Sequence, residues 1–274
     1  MEAAYLYSNA HTHCNFCDGK CTAEQMVQAA IEKGFHTLGF SSHSHLNGQD
    51  WTLQDTAAYK AEIERLKQVY KGRINVVPGL EWDLDSDAAD RKGFDYIIGS
   101  VHRIRGAKSG CCYEMDHEFE EVLRCRDTEF DGDGEAMTAL YFQEVQRMIA
   151  QKPDILGHMD LPRRRNSHNR LFDETAPGYL NRALEALQEA ARAGILVEIN
   201  TGGNYRGSRT DFYPAKPLLP EFARMGGKVI LTSDSHQPEA LNWKFEQAAQ
   251  NAKDAGFRSL WYLTDKGFCE EEIR

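Results

Sequence analysis

What is missing from the 274-residue sequence narrows its reading before any motif is considered. No apolar run approaches the roughly 20 residues that cross a bilayer. The opening residues, Met-Glu-Ala-Ala-Tyr-Leu-Tyr-Ser, carry neither the basic nor the apolar stretch of a secretory signal, and a soluble cytoplasmic protein is expected. Positive charge is also short: 32 Lys and Arg stand against 42 Asp and Glu, a formal charge of −10, which argues against a nucleic-acid partner. Cysteine is too sparse, and at 7 residues odd in number, to be the disulfide framework of a small secreted domain. Ordinary shares of apolar (41%) and charged (27%) residues exclude disordered, collagen-like and coiled-coil chains. Gly-x-Ser-x-Gly, Walker and Gly-x-Gly-x-x-Gly motifs are missing, so no serine nucleophile or nucleotide-binding loop suggests itself.

What is present is alternation. Short β-type runs at 4–8, 37–41, 74–79, 96–100, 155–157, 195–200 and 228–232 are separated by stretches with helical spacing at 57–69, 136–150, 179–193 and 238–255. Thr22-Ala-Glu-Gln25 reads as a capping box that opens a further helix ending at Gly34. Strand and helix in regular succession predict a parallel sheet, and at this length a closed barrel within one domain, residues 1–274. The run 260–263 fits either an eighth barrel strand or an edge piece. Two polar stretches, 47–56 and 103–133, break the rhythm; the second is long enough to be a lid over a site.

The chemistry lies where the strands end. The first predicted strand leads to His11-Thr-His13 and Asp18, the second to His43-Ser-His45, the third to Glu81, and the fourth to Ser100-Val-His102. The fifth leads to His158-Met-Asp160 and the seventh to Asp234-Ser-His236. Barrel enzymes build their sites at the carboxyl ends of the strands. Because side chains alternate along an extended backbone, His-x-His and Asp-x-His each put two ligand groups on one face. A single histidine near a strand is ordinarily a structural residue, and His36, His117, His168 and His45 are read that way. Six strands delivering such groups to one end is a different observation, and imidazole with carboxylate suits zinc, iron or manganese.

These residues resemble the metal motifs of the polymerase and histidinol phosphatase (PHP) superfamily: His11-x-His13, Asp18-Gly19, His43, Glu81, His102, Gly157-His158 and Asp234-x-His236. Phe130-Asp-Gly-Asp133, Tyr141 to Ile149, Pro153 to Leu161, Glu198-Ile-Asn-Thr201 and Arg206 to Tyr213-Pro214 are similar to the PHP-type histidinol-phosphate phosphatases within it. The resemblance implies a distorted (β/α)7 TIM-like barrel carrying three divalent metal ions. His11, His13, Glu81 and Asp234 would hold the first ion. Glu81 would bridge to a second held by His102 and His158, and Asp18, His43 and His236 would hold a third. The implied reaction is hydrolysis of L-histidinol phosphate, a step of histidine biosynthesis, by water that the cations activate. Another small phosphate ester, such as a nucleotide or sugar phosphate, is the alternative; an amidohydrolase and a non-catalytic accessory module are remoter rivals.

Glu81 and Asp160 are the candidate catalytic carboxylates, Asp160 either orienting a ligand or protonating the leaving group. The same resemblance implies that substrate phosphate would meet an arginine from each of two loops. Arg164 and Arg209 are favoured, with Arg163 and Arg206 beside them. Cys14-x2-Cys17-x3-Cys21 begins with zinc-like spacing, but no second pair follows, and its loop already carries His11, His13 and Asp18. Cys111 and Cys112 are read as reduced and incidental. Oligomeric state leaves no trace in the sequence.

Overall fold

The computed structural model describes residues 3–274. Its nine-stranded main sheet begins with β1 (Ser8–Asn9), β2 (Thr37–Phe40), β3 (Asn75–Asp83) and β4 (Tyr96–Ser100). A separate hairpin follows, β5 (Arg103–Arg105) with β6 (Cys112–Glu114), and then β7 (Ile155–Leu156), β8 (Leu196–Asn200) and β9 (Lys228–Thr232) return to the main sheet. The seven strands β1, β2, β3, β4, β7, β8 and β9 are parallel in that order. Thr12 and Ser235 then pair in parallel, with the His13 N–H donating to the Ser235 carbonyl at 2.8 Å and the Ser235 N–H to the His11 carbonyl at 3.1 Å. The ring is thus closed at its carboxyl end.

At the other end the first and last strands of the ring are held apart. β10 (Ser259–Thr264) pairs with β9 only at Trp261 and Ile230, and the Ser8 hydroxyl donates to the Leu263 carbonyl at 2.9 Å. β11 (Gly267–Glu272) folds back antiparallel on β10. The predicted run 260–263 is therefore a wedge in the seam, and the wedge is what distorts the barrel. Residues 4–7 form a 3-10 turn where a strand was expected. β2 begins at Thr37 opposite Ser8, so the preceding residues have no strand beside them.

Helices cover the outside: α1 (Ala23–Glu32), α2 (Thr56–Val69), α3 (Phe119–Phe130), α4 (Gly134–Ala150) and α5 (Pro177–Ala193), then, after the single turn α6 (Gly202–Tyr205) at the carboxyl end of β8, α7 (Leu219–Arg224) and α8 (Phe245–Asp254). The capping box of α1 is present, Thr22 Oγ1 accepting from the Gln25 N–H at 3.2 Å and Gln25 Oε1 from the Thr22 N–H at 2.9 Å. α4 and α5 start two residues before their apolar spacing does, behind the Asp133 cap and with Pro177 in the first turn. The predicted helix 238–255 is broken by left-handed Lys244 (φ 54°), leaving a 3-10 turn at Pro238–Ala240 ahead of α8. The stretch 103–133 is not structureless: it contains the β5–β6 hairpin and α3. Glu129 of α3 ties the two together, accepting from the Lys108 N–H at 2.8 Å and the Tyr113 hydroxyl at 3.0 Å.

Inside the ring, period two stacks residues in layers. Val77, Tyr96, Ile98, Ile155, Leu196, Ile230 and Leu263 form an apolar floor. Tyr96 fits there because Gly39 and Gly79 lack side chains; a Cβ on Gly79 would lie 2.2 Å from its ring. One or two steps of two residues further along the same strands come Glu81, Ser100 and Glu198, all buried. The alternation that builds the floor therefore delivers the polar layer above it.

Candidate metal centre

All nine predicted ligands converge at the carboxyl end of the ring. They fall into four overlapping groups: His13 with Asp18, His43 and His236; His11 with His13 and Asp234; His11 with Glu81 and His158; and His43 with Glu81 and His102. Within each group the donor atoms lie within 4.8 Å of one another. Glu81 is central. Its Oε1 is 2.9 Å from His158 Nε2 and 3.3 Å from His102 Nε2, while Oε2 is 3.1 Å from His11 Nε2 and 2.9 Å from His43 Nδ1. His13 Nε2 lies 3.2 Å from Asp234 Oδ1, and His236 Nε2 3.0 Å from Asp18 Oδ2. His45 is turned away, with Nδ1 2.8 Å from the Leu53 carbonyl, and does not compete with His43. His36, His117 and His168 also lie outside the groups.

A cation fits this donor set. His11 Nε2, His13 Nε2 and Glu81 Oε2 are buried, face one another and have no hydrogen-bond partner. Leaving such atoms unpaired costs about 1–3 kcal/mol each, and a shared positive charge removes that cost. The far sides of two rings explain the aim. Glu198 Oε2 is 2.8 Å from His11 Nδ1, and Asp83 Oδ2 is 3.0 Å from His102 Nδ1, so each proton is held outside and each Nε2 lone pair faces in. The sequence reading missed both carboxylates. Their signal was positional: Asp83 stands two residues after Glu81 and so shares its face, and Glu198 stands two after the floor residue Leu196.

Burial alone would raise the pKa values of Glu81 and Asp234. The imidazoles of His11, His43 and His102 outweigh it at Glu81, and Arg206 with His11 at Asp234, holding both well below the carboxylate range. His13 is held neutral, lowered to about 3 by burial and by the neighbouring His236 and His43.

The centre forms the base of a cavity of about 250 Å³, whose remaining lining includes Arg164, Arg206, Asp116, Lys20, Tyr205 and Gln237. Arg164 pairs with Asp116 at 2.6 Å, and Arg206 with Asp234 at 2.7 Å. Two of the four predicted arginines are not among the lining residues. Arg163 is buried in an ion network with Asp160 (3.1 Å), Glu174 (2.9 Å) and Asp211, and Arg209 joins the same network through Glu174 at 3.0 Å. Asp160 is also enclosed, its Oδ2 accepting from Arg163 and from the Ala215 N–H at 2.7 Å. Burial pushes its pKa up, but it does not line the cavity. Asp116, unnoticed in the sequence, is a carboxylate that does, and Arg164 holds it ionised against the effect of burial. All seven cysteines are free and none belongs to a candidate ligand group among the described residues.

Comparison with known proteins follows the same lines. The family model described as PHP domain matches residues 9–202. The histidinol-phosphatase of Lactococcus lactis subsp. lactis is 28% identical over 265 residues, covering 91% of this chain and 91% of the relative. That of Bacillus subtilis is 26% identical over 269 residues, covering 87% and 96%. Among solved structures, the Lactococcus lactis histidinol phosphate phosphatase complexed with zinc, L-histidinol and phosphate superposes with a TM-score of 0.73 at 23% identity, over 96% of this chain and 99% of that one. A chain from Listeria monocytogenes gives 0.76 at 19%, over 87% and 98%. At these identities the structural likeness establishes the fold, a distorted TIM-like barrel.

Proposed function

Because the chain belongs to the PHP domain family, we propose that it is a metal-dependent phosphomonoesterase that hydrolyses L-histidinol phosphate to L-histidinol and phosphate, a cytoplasmic step of histidine biosynthesis. The observation that carries this reading is the cavity itself. Its base gathers ligand groups for cations, its lining offers two guanidinium groups, and among the described residues its one carboxylate outside the ligand set is Asp116. A phosphomonoester with a protonated amine on its organic part matches that arrangement of charge.

His11, His13, Glu81 and Asp234 would hold one ion, His102 and His158 a second shared with Glu81, and Asp18, His43 and His236 a third, each zinc, iron or manganese. Bound there, the cations supply charge to the phosphoryl oxygens and lower the pKa of water. The chain's own groups do the rest. Glu198 and Asp83 fix the tautomers of His11 and His102. Arg164 and Arg206 grip the phosphoryl oxygens with paired N–H donors. Asp116 takes the substrate amine. Asp160 and Arg163 brace the loop at 211–215 from behind and are not placed to transfer a proton to the leaving group.

One observation favours the second reading, a small ester with a further anionic group. Lys20 lines the cavity, and its Nζ bonds the neutral Gln237 Oε1 at 2.7 Å. Phosphate release from L-histidinol phosphate, nucleotides and sugar phosphates, with His102→Ala as control, separates the two. A hundredfold preference in kcat/KM for L-histidinol phosphate, lost in the control, is expected. Equal or better turnover of a nucleotide or sugar phosphate transfers the assignment to the second reading.

A further inference from the structure

Four of the six histidines of the centre turn one ring nitrogen outwards onto a partner. For His11 it is the Glu198 carboxylate at 2.8 Å, for His102 the Asp83 carboxylate at 3.0 Å, and for His236 the Asp234 carbonyl at 2.9 Å. For His13 it is sulfur: Nδ1 lies 3.4 Å from Cys17 Sγ. We propose that Cys17 is a positioning residue for His13, its sulfur accepting the Nδ1 proton and so keeping the Nε2 lone pair turned into the metal centre. The inference rests on the metal-dependent reading of the site and goes beyond it.

The proton count supports this direction. Cys17 Sγ is also 3.5 Å from the Cys14 carbonyl, which can only accept and already takes two backbone N–H groups, so the thiol proton makes a weak third contact there while the sulfur lone pairs stay open towards His13. His13 Nε2 is buried with no hydrogen-bond partner and lies between Asp234 Oδ1 and Glu81 Oε2 at 3.2 and 3.4 Å, where a proton would not suit a ligand. The proton therefore belongs on Nδ1. The nearest competing acceptor, Asp18 Oδ1, is 3.7 Å away, beyond hydrogen-bond reach.

The loop is shaped to hold this contact. The N–H groups of Cys17 and Gly19 both donate to the Cys14 carbonyl, at 3.0 and 3.2 Å, winding residues 14–19 into one tight turn. A Cβ at Gly19 would come within 2.5 Å of the Cys14 backbone, so the turn closes only around glycine. It delivers Cys17 to His13 and the adjacent Asp18 to His43 and His236. The cysteine spacing thus serves a histidine rather than a sulfur-bound cluster. Thiol sulfur is a weaker acceptor than carboxylate, so His13 is a less basic ligand than His11 or His102.

The test measures zinc binding by chelator competition on metal-free wild type, Cys17→Ala and Cys17→Ser, with ring-nitrogen NMR shifts and the spectrum of the cobalt-loaded protein. Loss of the acceptor in Cys17→Ala is expected to weaken binding about 10- to 100-fold. His13 should become a mixture of tautomers, while the serine hydroxyl restores the Nδ1–H form and most of the affinity. No thiolate-to-cobalt charge-transfer band is expected in the wild type. Unchanged affinity and tautomer in Cys17→Ala overturn the proposal. So does a charge-transfer band abolished in Cys17→Ser, which makes Cys17 a ligand. A wild type that binds no divalent ion sinks the reading of the site itself, a result distinct from either.

Discussion

Replacing Glu198 by glutamine changes no volume and removes one charge, yet its four hydrogen bonds make it severe. Oε2 accepts from His11 Nδ1 and Thr232 Oγ1, both at 2.8 Å, and Oε1 from Asn200 Nδ2 at 2.8 Å and from the His158 N–H. A carboxylate accepts at both oxygens; an amide must place its NH2 on one side. Turned towards Asn200, the NH2 meets two donors that cannot reverse. Turned towards His11, it forces that ring to move its proton to Nε2, into the metal centre. Second-layer losses of this kind cost about 10- to 100-fold in metal affinity, which is about 1.4–2.7 kcal/mol. The buried donor left facing a donor costs a further 1–3 kcal/mol or so of folding stability. Chelator competition reads the first and thermal unfolding of metal-free protein the second. Affinity within twofold of wild type in a folded Glu198→Gln protein would refute the claim that this carboxylate sets the His11 tautomer.

Other expectations follow from the same geometry. Arg206→Met should raise KM for the phosphate ester and Ki for inorganic phosphate together by about tenfold or more, and Arg164→Met likewise; an unchanged Ki in steady-state inhibition removes them from the phosphate. Arg163→Met should instead lower Tm, because three carboxylates lose their buried cation at a cost of about 3–5 kcal/mol. A shifted phosphate Ki at unchanged Tm contradicts its place in the network. Gly79→Ala should destabilise by about 1–3 kcal/mol or more through the Tyr96 clash, read in a denaturant titration; unchanged stability would mean the barrel floor can yield. For pH, burial lowers the basicity of His11 and His102, but Glu198 and Glu81 raise it at His11, and Glu81 and Asp83 at His102, to well above 6.5. A raised folded pKa gives stability that is complete below the unfolded value of 6.5 and lost as pH rises through the folded one. Metal-free protein should therefore weaken on the alkaline side of neutrality, and zinc binding at pH 7 should release protons, detectable by calorimetry in buffers of different ionisation enthalpy. Proton-neutral binding would contradict these shifts.

Most of the candidate ligands were legible because they stand at or shortly beyond an apolar strand run, where the barrel geometry leaves little freedom; Asp18, nine residues past β1, stands on a loop. Glu198 and Asp83 escaped because a polar residue inside a strand looks like ordinary alternation; only the closed ring makes that face an interior. The hairpin β5–β6 has strands of three residues, too short to show a period, and α3 mixes charges of both signs on its exposed side, at Glu120, Arg124 and Asp127. The four candidate arginines divide between cavity and ion network, and for one pair the reason is local. Arg163 and Arg164 are neighbours in a 3-10 turn, Leu161–Arg165, that sends one into the ion network and the other to the cavity. Sequence order cannot say which.

The seam between the first and last strands of the ring has a consequence for the order of events in folding. His11 and His13 lie on one side of it, Asp234 and His236 on the other, more than 200 residues apart in the chain. Such a contact repays its loop-closure entropy only late, after the intervening strands have assembled. An ion held across that seam acts as a clasp on the finished ring. By binding the closed form alone it slows reopening, so metal supply would govern how long a molecule stays folded as well as whether it works.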